Sequence, residues 1–130
     1  MNRQQVHLLQ GDAERLLAEW QPLLGVADWD VIVKIVRRAE FENPSNRQAE
    51  CHYNLTRKEA IVLLMDPSDY PGVERSPFPQ DMERELVHEL LHCHFAPFMS
   101  ETAGDAQDTA QEQAIHKIAG ALVALKRRQC

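Results

Sequence analysis

Residues 81–95, DMERELVHELLHCHF, restrict the fold more than any other part of the chain. On a helical wheel of about 100° per residue, Met82, Leu86, Val87, Leu90, Leu91, Cys93 and Phe95 spread over more than half of the circumference. A helix patterned in this way must be covered by other elements on most of its sides. The narrow arc left over holds Asp81, Glu85, His88, Glu89 and His92, a polar stripe suited to line a cleft. Asp81 can cap the helix, which runs to about Phe95 and ends before Pro97.

The covering elements can be read from the rest of the chain. Leu8, Leu9, Ala13, Leu16, Leu17, Trp20 and Leu24 recur at helical spacing, which predicts an amphipathic helix from Gln4 to Leu24, stopped near Pro22 and Gly25. From Trp29 the texture becomes β-branched, with Val31, Val33 and Ile35 on one face and Asp30, Lys34 and Arg38 mostly on the other, which predicts a strand. Residues 42–48 (ENPSNRQ) are turn chemistry, after which Ala49, Cys51, Tyr53 and Leu55 alternate with Glu50, His52 and Asn54 as in a half-buried strand. Thr56 to Glu59 reads as a hairpin loop, and the continuous apolar run 60–65 (AIVLLM) as a strand buried on both faces, with a piece of helix as the alternative.

Residues 66–79 carry four of the seven prolines, which excludes a helix or a central strand and predicts an exposed, stiffened loop of the kind that often rims a site. Asp105 and Asp108 can open a last helix that runs to about Arg128, with a basic final turn at its negative end. Strands and helices are segregated, not alternating. The expected class is therefore α+β: an N-terminal helix, a small three-stranded, mainly antiparallel sheet, the motif helix and a C-terminal helix. A chain of 130 residues with 44% hydrophobic residues suits one domain spanning 1–130.

The formal charge is −6, and the only basic clusters are Arg37-Arg38 and Lys126-Arg127-Arg128, so a broad phosphate-binding face, and with it nucleic acid, is not expected. The first residues lack an apolar leader region, and no window approaches the roughly 18 apolar residues of a membrane span. The expectation is a cytoplasmic protein without a membrane partner. Cys51, Cys93 and Cys130 are scattered and form no C-x-x-C pair, so reduced thiols are expected.

His88-Glu89-Leu90-Leu91-His92 is an H-E-x-x-H sequence. Residues four apart on a helix present both imidazoles to one ion, and the intervening glutamate reaches metal-bound water. A catalytic zinc site takes three protein ligands and leaves one position for water. Glu112 is the residue that falls where no carboxylate otherwise belongs, inside the apolar arc of Ile115, Ile118, Ala119, Leu122 and Val123. A lone buried carboxylate is costly unless it is paired or metal-bound. The competing reading leaves Glu112 wet in the first turns of its helix, or paired with a lysine or arginine. Asp108 is the reserve ligand, and Glu101 lies in an unplaced loop. His116, one turn beyond Glu112, either orients a ligand or is a surface histidine. His94 points roughly 160° from His92, into the apolar arc, and reads as a core histidine; His7 reads as exposed and His52 stays open.

Together these residues resemble the small gluzincin-type zinc metallopeptidases of the minigluzincin sort, including short proteins of phages and prophages. The carriers are ADWDVIVKIV, AECHYNLT, AIVLLMDPSDYP, ELVHELLHCHFAPF and EQAIHKIAGALVAL, in that order over most of the chain. The resemblance implies a zincin-like fold and a Zn2+ cofactor held by His88, His92 and Glu112, with Glu89 as general base. It also implies hydrolysis of peptide bonds by zinc-activated water, in a peptide or protein substrate laid along an edge strand above the motif helix. Residues 60–65 are the expected edge, although their pattern also suits a central strand. A metzincin would need a third histidine at position 98, which is Phe98. The oxyanion-stabilising residue stays open among Tyr70, Tyr53, His52 and His116. One alternative is a non-catalytic, zinc-stabilised binding or regulatory module, with His94, His116 or Cys130 as a fourth ligand. Another is a zinc-dependent hydrolase of a non-peptide substrate.

Overall fold

The apolar circumference of residues 82–95 is satisfied by wrapping. The computed structural model describes residues 4–43, 47–70, 78–99 and 104–129. Its elements are α1 (Gln10–Leu23), β1 (Asp30–Val36), β2 (Ala49–Asn54), β3 (Glu59–Met65), α2 (Met82–Phe95) and α3 (Asp105–Arg128), with short 3-10 turns at Arg38–Glu40, Pro67–Asp69 and Ala96–Phe98. The class is α+β, as expected. Met82, Leu86, Val87 and Leu90 of α2 are completely buried in a core shared with Leu16 and Trp20 of α1, Val33, Val62 and Leu64 of the sheet, and Ile115, Ala119 and Val123 of α3.

The first helix is shorter than its periodicity predicts. Val6 instead lies as a parallel bridge beside Asp81: its N–H donates to Gln80 O (2.9 Å) and its carbonyl accepts from Met82 N (2.9 Å). These bonds hold residues 4–9 outside the helix while Leu8 still enters the core. At the other end, Gly25 has φ +75°, a left-handed conformation that suits glycine, and the Gly25 and Val26 N–H groups donate to Pro22 O and Gln21 O. This is the Schellman ending, with Val26 buried beneath it.

The strand order is β1-β3-β2, with β1 parallel to β3 and β2 antiparallel to it. The sheet is therefore mixed, not mainly antiparallel. The segment 37–48 carries the chain across to the far edge, and the tight β2–β3 hairpin then turns β3 back between the first two strands. Residues 60–65 are consequently the centre of the sheet, and β2 is an edge that packs on α2 through its inner face. Ile61, on the outer face of β3, is 40% exposed, so this strand is not buried on both faces throughout. The outer face is covered only at one end, where Arg38 Nη2 meets Met65 Sδ (3.6 Å) and the Glu42 and Asn43 N–H groups donate to the buried Glu50 carboxylate (2.9 and 2.8 Å).

Asp81 caps α2 by accepting from Arg84 N (3.1 Å), and α3 runs antiparallel beneath it. The buried face of α3 is narrower than its wheel suggests, since Ile118 is 39% exposed. Gly120 makes room for Arg84 where the helices touch: a Cβ there would lie 2.5 Å from Arg84 Nη2 and would displace the guanidinium. The three helices are tied by a partly buried charge cluster. Glu83 accepts from Trp20 Nε1 (2.8 Å), Lys126 Nζ (2.8 Å) and Arg127 Nη2 (3.3 Å), while Arg127 also forks onto Asp81 (2.7 and 2.9 Å).

Removing Glu83 leaves Trp20 Nε1 without its acceptor and takes one of two carboxylates from Lys126 and from Arg127, which keep Glu19 and Asp81, so Glu83→Ala should lower the unfolding free energy by about 2 kcal/mol in urea titrations. Burial raises the Glu83 carboxyl, but the bonds from Lys126 and Trp20 outweigh it and hold it below the ordinary range. A carboxyl with a depressed folded pKa adds stability above its unfolded value of about 4.3, and this is lost as pH falls through the folded one. Wild-type melts taken from neutral pH down to about pH 3 should show that loss, and Glu83→Ala a smaller one.

Candidate metal centre

The same wrapping that buries α2 leaves its polar stripe facing α3. His88 and His92 stand one turn apart with ring centroids 5.4 Å from each other. Glu112, two turns into α3, reaches between them: its Oε2 lies 3.0 Å from His88 Nε2 and its Oε1 3.0 Å from His92 Nε2. Glu112 is thus neither idle in solvent nor paired with a lysine or arginine, although 45% of its side chain remains exposed. Hydrogen bonds from His88 and then His92 hold its carboxyl far below the usual range. Burial disfavours charge on His92, but the bond to Glu112 and the Glu89 charge outweigh it and raise its pKa.

Whether these groups suit a metal ion can be judged from their spacing. Ligands at about 2.0–2.1 Å around a tetrahedral zinc stand roughly 3.3 Å apart. One donor atom from each of His88, His92 and Glu112 falls within 4.8 Å of the other two, so this trio could hold a metal ion. Two imidazoles and a carboxylate are also a donor set that zinc accepts.

Glu89 occupies a different position. Its carboxylate oxygens stay 3.9 Å from both His88 Nε2 and His92 Nε2, outside hydrogen-bond range, and its side chain is only 7% exposed. Burial raises its pKa, opposed in part by the two imidazoles. The group therefore faces the ligand cluster without joining it and binds a proton more readily than an ordinary glutamate.

The cluster opens into a cleft of about 440 Å³, walled by Gln48 and Ala49 beside the edge strand, Tyr70 and Phe78, and Arg84 and His116. Of the four residues considered for the oxyanion, Tyr70 and His116 line this cleft. Tyr70 donates to Phe78 O (2.7 Å), and the His116 ring lies 6.4 Å from that of His88. Tyr53 and His52 border a separate hollow across the sheet, where His52 pairs with Glu50 (3.1 Å).

His94 is not a core histidine: it is exposed and bonds to Leu24 O at the end of α1. Its wheel position is right, but the α1 terminus leaves that side of α2 open. Asp108 is exposed and outside the cluster. His7 is exposed, as expected. Cys51 and Cys93, on β2 and α2, are free thiols. Cys130, Glu101 and residues 71–77 of the proline-rich loop lie outside the described residues. Arg47, whose charge acts on Glu89 and His92, gave no signal in a stretch that reads only as turn chemistry.

Comparison of the chain with protein-family models, with curated proteins and with solved structures finds no match.

Titration calorimetry of the metal-free protein with zinc should show one equivalent bound, with affinity reduced at least about tenfold in His88→Ala, His92→Ala and Glu112→Ala. A hundredfold excess of free zinc over Kd should stabilise the wild type by about 2.7 kcal/mol, seen as a rise in Tm that the variants lack.

Proposed function

We propose that the chain is a minimal, zincin-like zinc endopeptidase, in keeping with its resemblance to small gluzincins. The observation that carries this reading is the combination of a three-residue donor set, open to a cleft, with a buried Glu89 carboxyl held just beyond it. Zinc held by His88, His92 and Glu112 would polarise the substrate carbonyl and lower the pKa of water.

The chain's own residues supply the remaining parts. Glu89, with its raised proton affinity, is suited to take the proton of the attacking water and deliver it to the leaving amine. Peptide is favoured as substrate by the outer edge of β2, which no strand pairs among the described residues. Met65 N donates to Gln48 O, and the antiparallel register then alternates so that Glu50, His52 and Asn54 bond to β3. The backbone groups of Ala49, Cys51 and Tyr53 face outward, and Ala49 itself lines the cleft. An extended peptide paired there would pass over the donor cluster, a case of strand addition.

A purely structural zinc site fills all four positions with protein. Among the described residues the cluster has three members, and His94 is turned away from it. This favours the catalytic reading over a zinc-stabilised module.

Zinc-loaded protein should cleave members of a diverse peptide mixture. Glu89→Gln should lower kcat/KM at least about a hundredfold while binding one zinc as before. Equal cleavage by the two proteins would remove Glu89 from the chemistry and the reading with it.

A further inference from the structure

We infer that Glu85 forms a cation-binding subsite beside the metal centre, which receives the ammonium or guanidinium of a lysine or arginine and directs cleavage next to a basic residue. The peptide as ligand rests on the function proposed above; the subsite itself rests on four observations.

Glu85 lies one turn before His88 and Glu89 on the polar stripe of α2 and lines the same cleft as both of them and Glu112. Its Oε1 is shut off from solvent and meets no hydrogen-bond donor. The neighbouring acids are provided for: Asp81 holds Arg127 in a two-point bond, Glu83 holds Lys126, and Glu112 holds the two imidazoles. Glu85 has no such partner among the described residues. The arginines that border the cleft do not supply one, because the Arg84 guanidinium lies against Gly120 and 3.5 Å from His116, while Arg47 is exposed.

Glu85 is half-buried, and a carboxylate oxygen buried without a partner costs free energy in any folded protein; such groups concentrate where a ligand completes them. Burial, reinforced by the charges of Glu89 and Asp81, pushes the Glu85 carboxyl well above the usual range. Because Asp81 is already matched by Arg127, Glu85 and the nearby Glu89 set the sign of the ligand: a cation at Glu85 would pair with it and be attracted by Glu89, whereas a neutral donor would gain one hydrogen bond and leave the repulsion in place. The cleft volume of about 440 Å³ leaves room for a long side chain beside the backbone of a bound peptide.

The test uses an N-acetylated peptide library whose members differ in carrying one lysine, arginine, norleucine or glutamate, with cleavage positions read by mass spectrometry. Zinc-loaded wild type should cut beside lysine or arginine at least about tenfold faster than beside norleucine, the discrimination expected of one charge-assisted bond. Glu85→Gln should bring that ratio near one, and Glu85→Lys should turn the preference toward glutamate. Glu85→Gln removes a charge that burial disfavours, and a melt at least as high as wild type would confirm that it folds; Glu85→Lys puts a charge of opposite sign there, and a single cooperative melt is its check. A parallel set with free N-termini and no lysine or arginine tells a terminal amine from a side chain: a preference confined to it keeps the cation subsite but seats the terminus there.

Retention of the same peptides on zinc-loaded Glu89→Gln separates this inference from the peptidase reading. Lysine members retained over norleucine members, with nothing cleaved by wild type, would remove the peptidase and keep the subsite. Equal cleavage and retention of lysine and norleucine members, or a lysine preference that Glu85→Gln leaves unchanged, would overturn it.

Discussion

Everything in this molecule depends on the burial of α2. A 14-residue helix with apolar side chains on most of its circumference is stable only inside a wrapping, and α1, the sheet and α3 provide it. The polar stripe is then the part of α2 that borders the cleft. Its side chains are held by a rigid, densely packed element, which fixes the geometry of His88, Glu89 and His92 without help from loops.

The second dependency is electrostatic and runs along α3. Antiparallel packing brings Lys126 and Arg127 onto Glu83 and Asp81 at the start of α2, seats Arg84 against Gly120 midway, and delivers Glu112 to His88 and His92 farther along. The charges at one end thus set the register that places the third donor at the other. Because the acidic groups at the start of α2 are already neutralised, Glu85, whose Oε1 meets no donor among the described residues, stands out within the same stripe. One helix pair carries the fold's partly buried ion cluster, the donor trio and the carboxyl groups that would handle protons and substrate.

Much of this was readable from the residues alone. The period of α2 and the H-E-x-x-H spacing located the donors on the helix, and the misplaced charge of Glu112 pointed to α3, because burial patterns repeat at 3.6 residues and expose a carboxylate in the wrong arc. Strand pairing was less accessible. The alternation in 31–35 and 49–55 shows two-faced strands, but nothing local states that the hairpin inserts β3 beside β1, so the sheet's mixed order and the edge role of β2 came only from three dimensions. Long-range backbone bonds had the same effect at Val6, where pairing with Gln80 and Met82 overrides a helical pattern. His94 shows the remaining kind of error: the wheel gives a direction, and only the neighbouring α1 terminus determines whether that direction is covered.

The proposed chemistry stands or falls with His88, His92 and Glu112 holding a metal while one position stays open to the cleft. The most direct measurement is anomalous diffraction at the zinc edge from crystals of the zinc-loaded protein. One zinc should be found bound by His88 Nε2, His92 Nε2 and a Glu112 oxygen, with the remaining position taken by solvent and Glu89 beside it. A zinc ringed by four protein ligands, or no zinc at this trio, would contradict it.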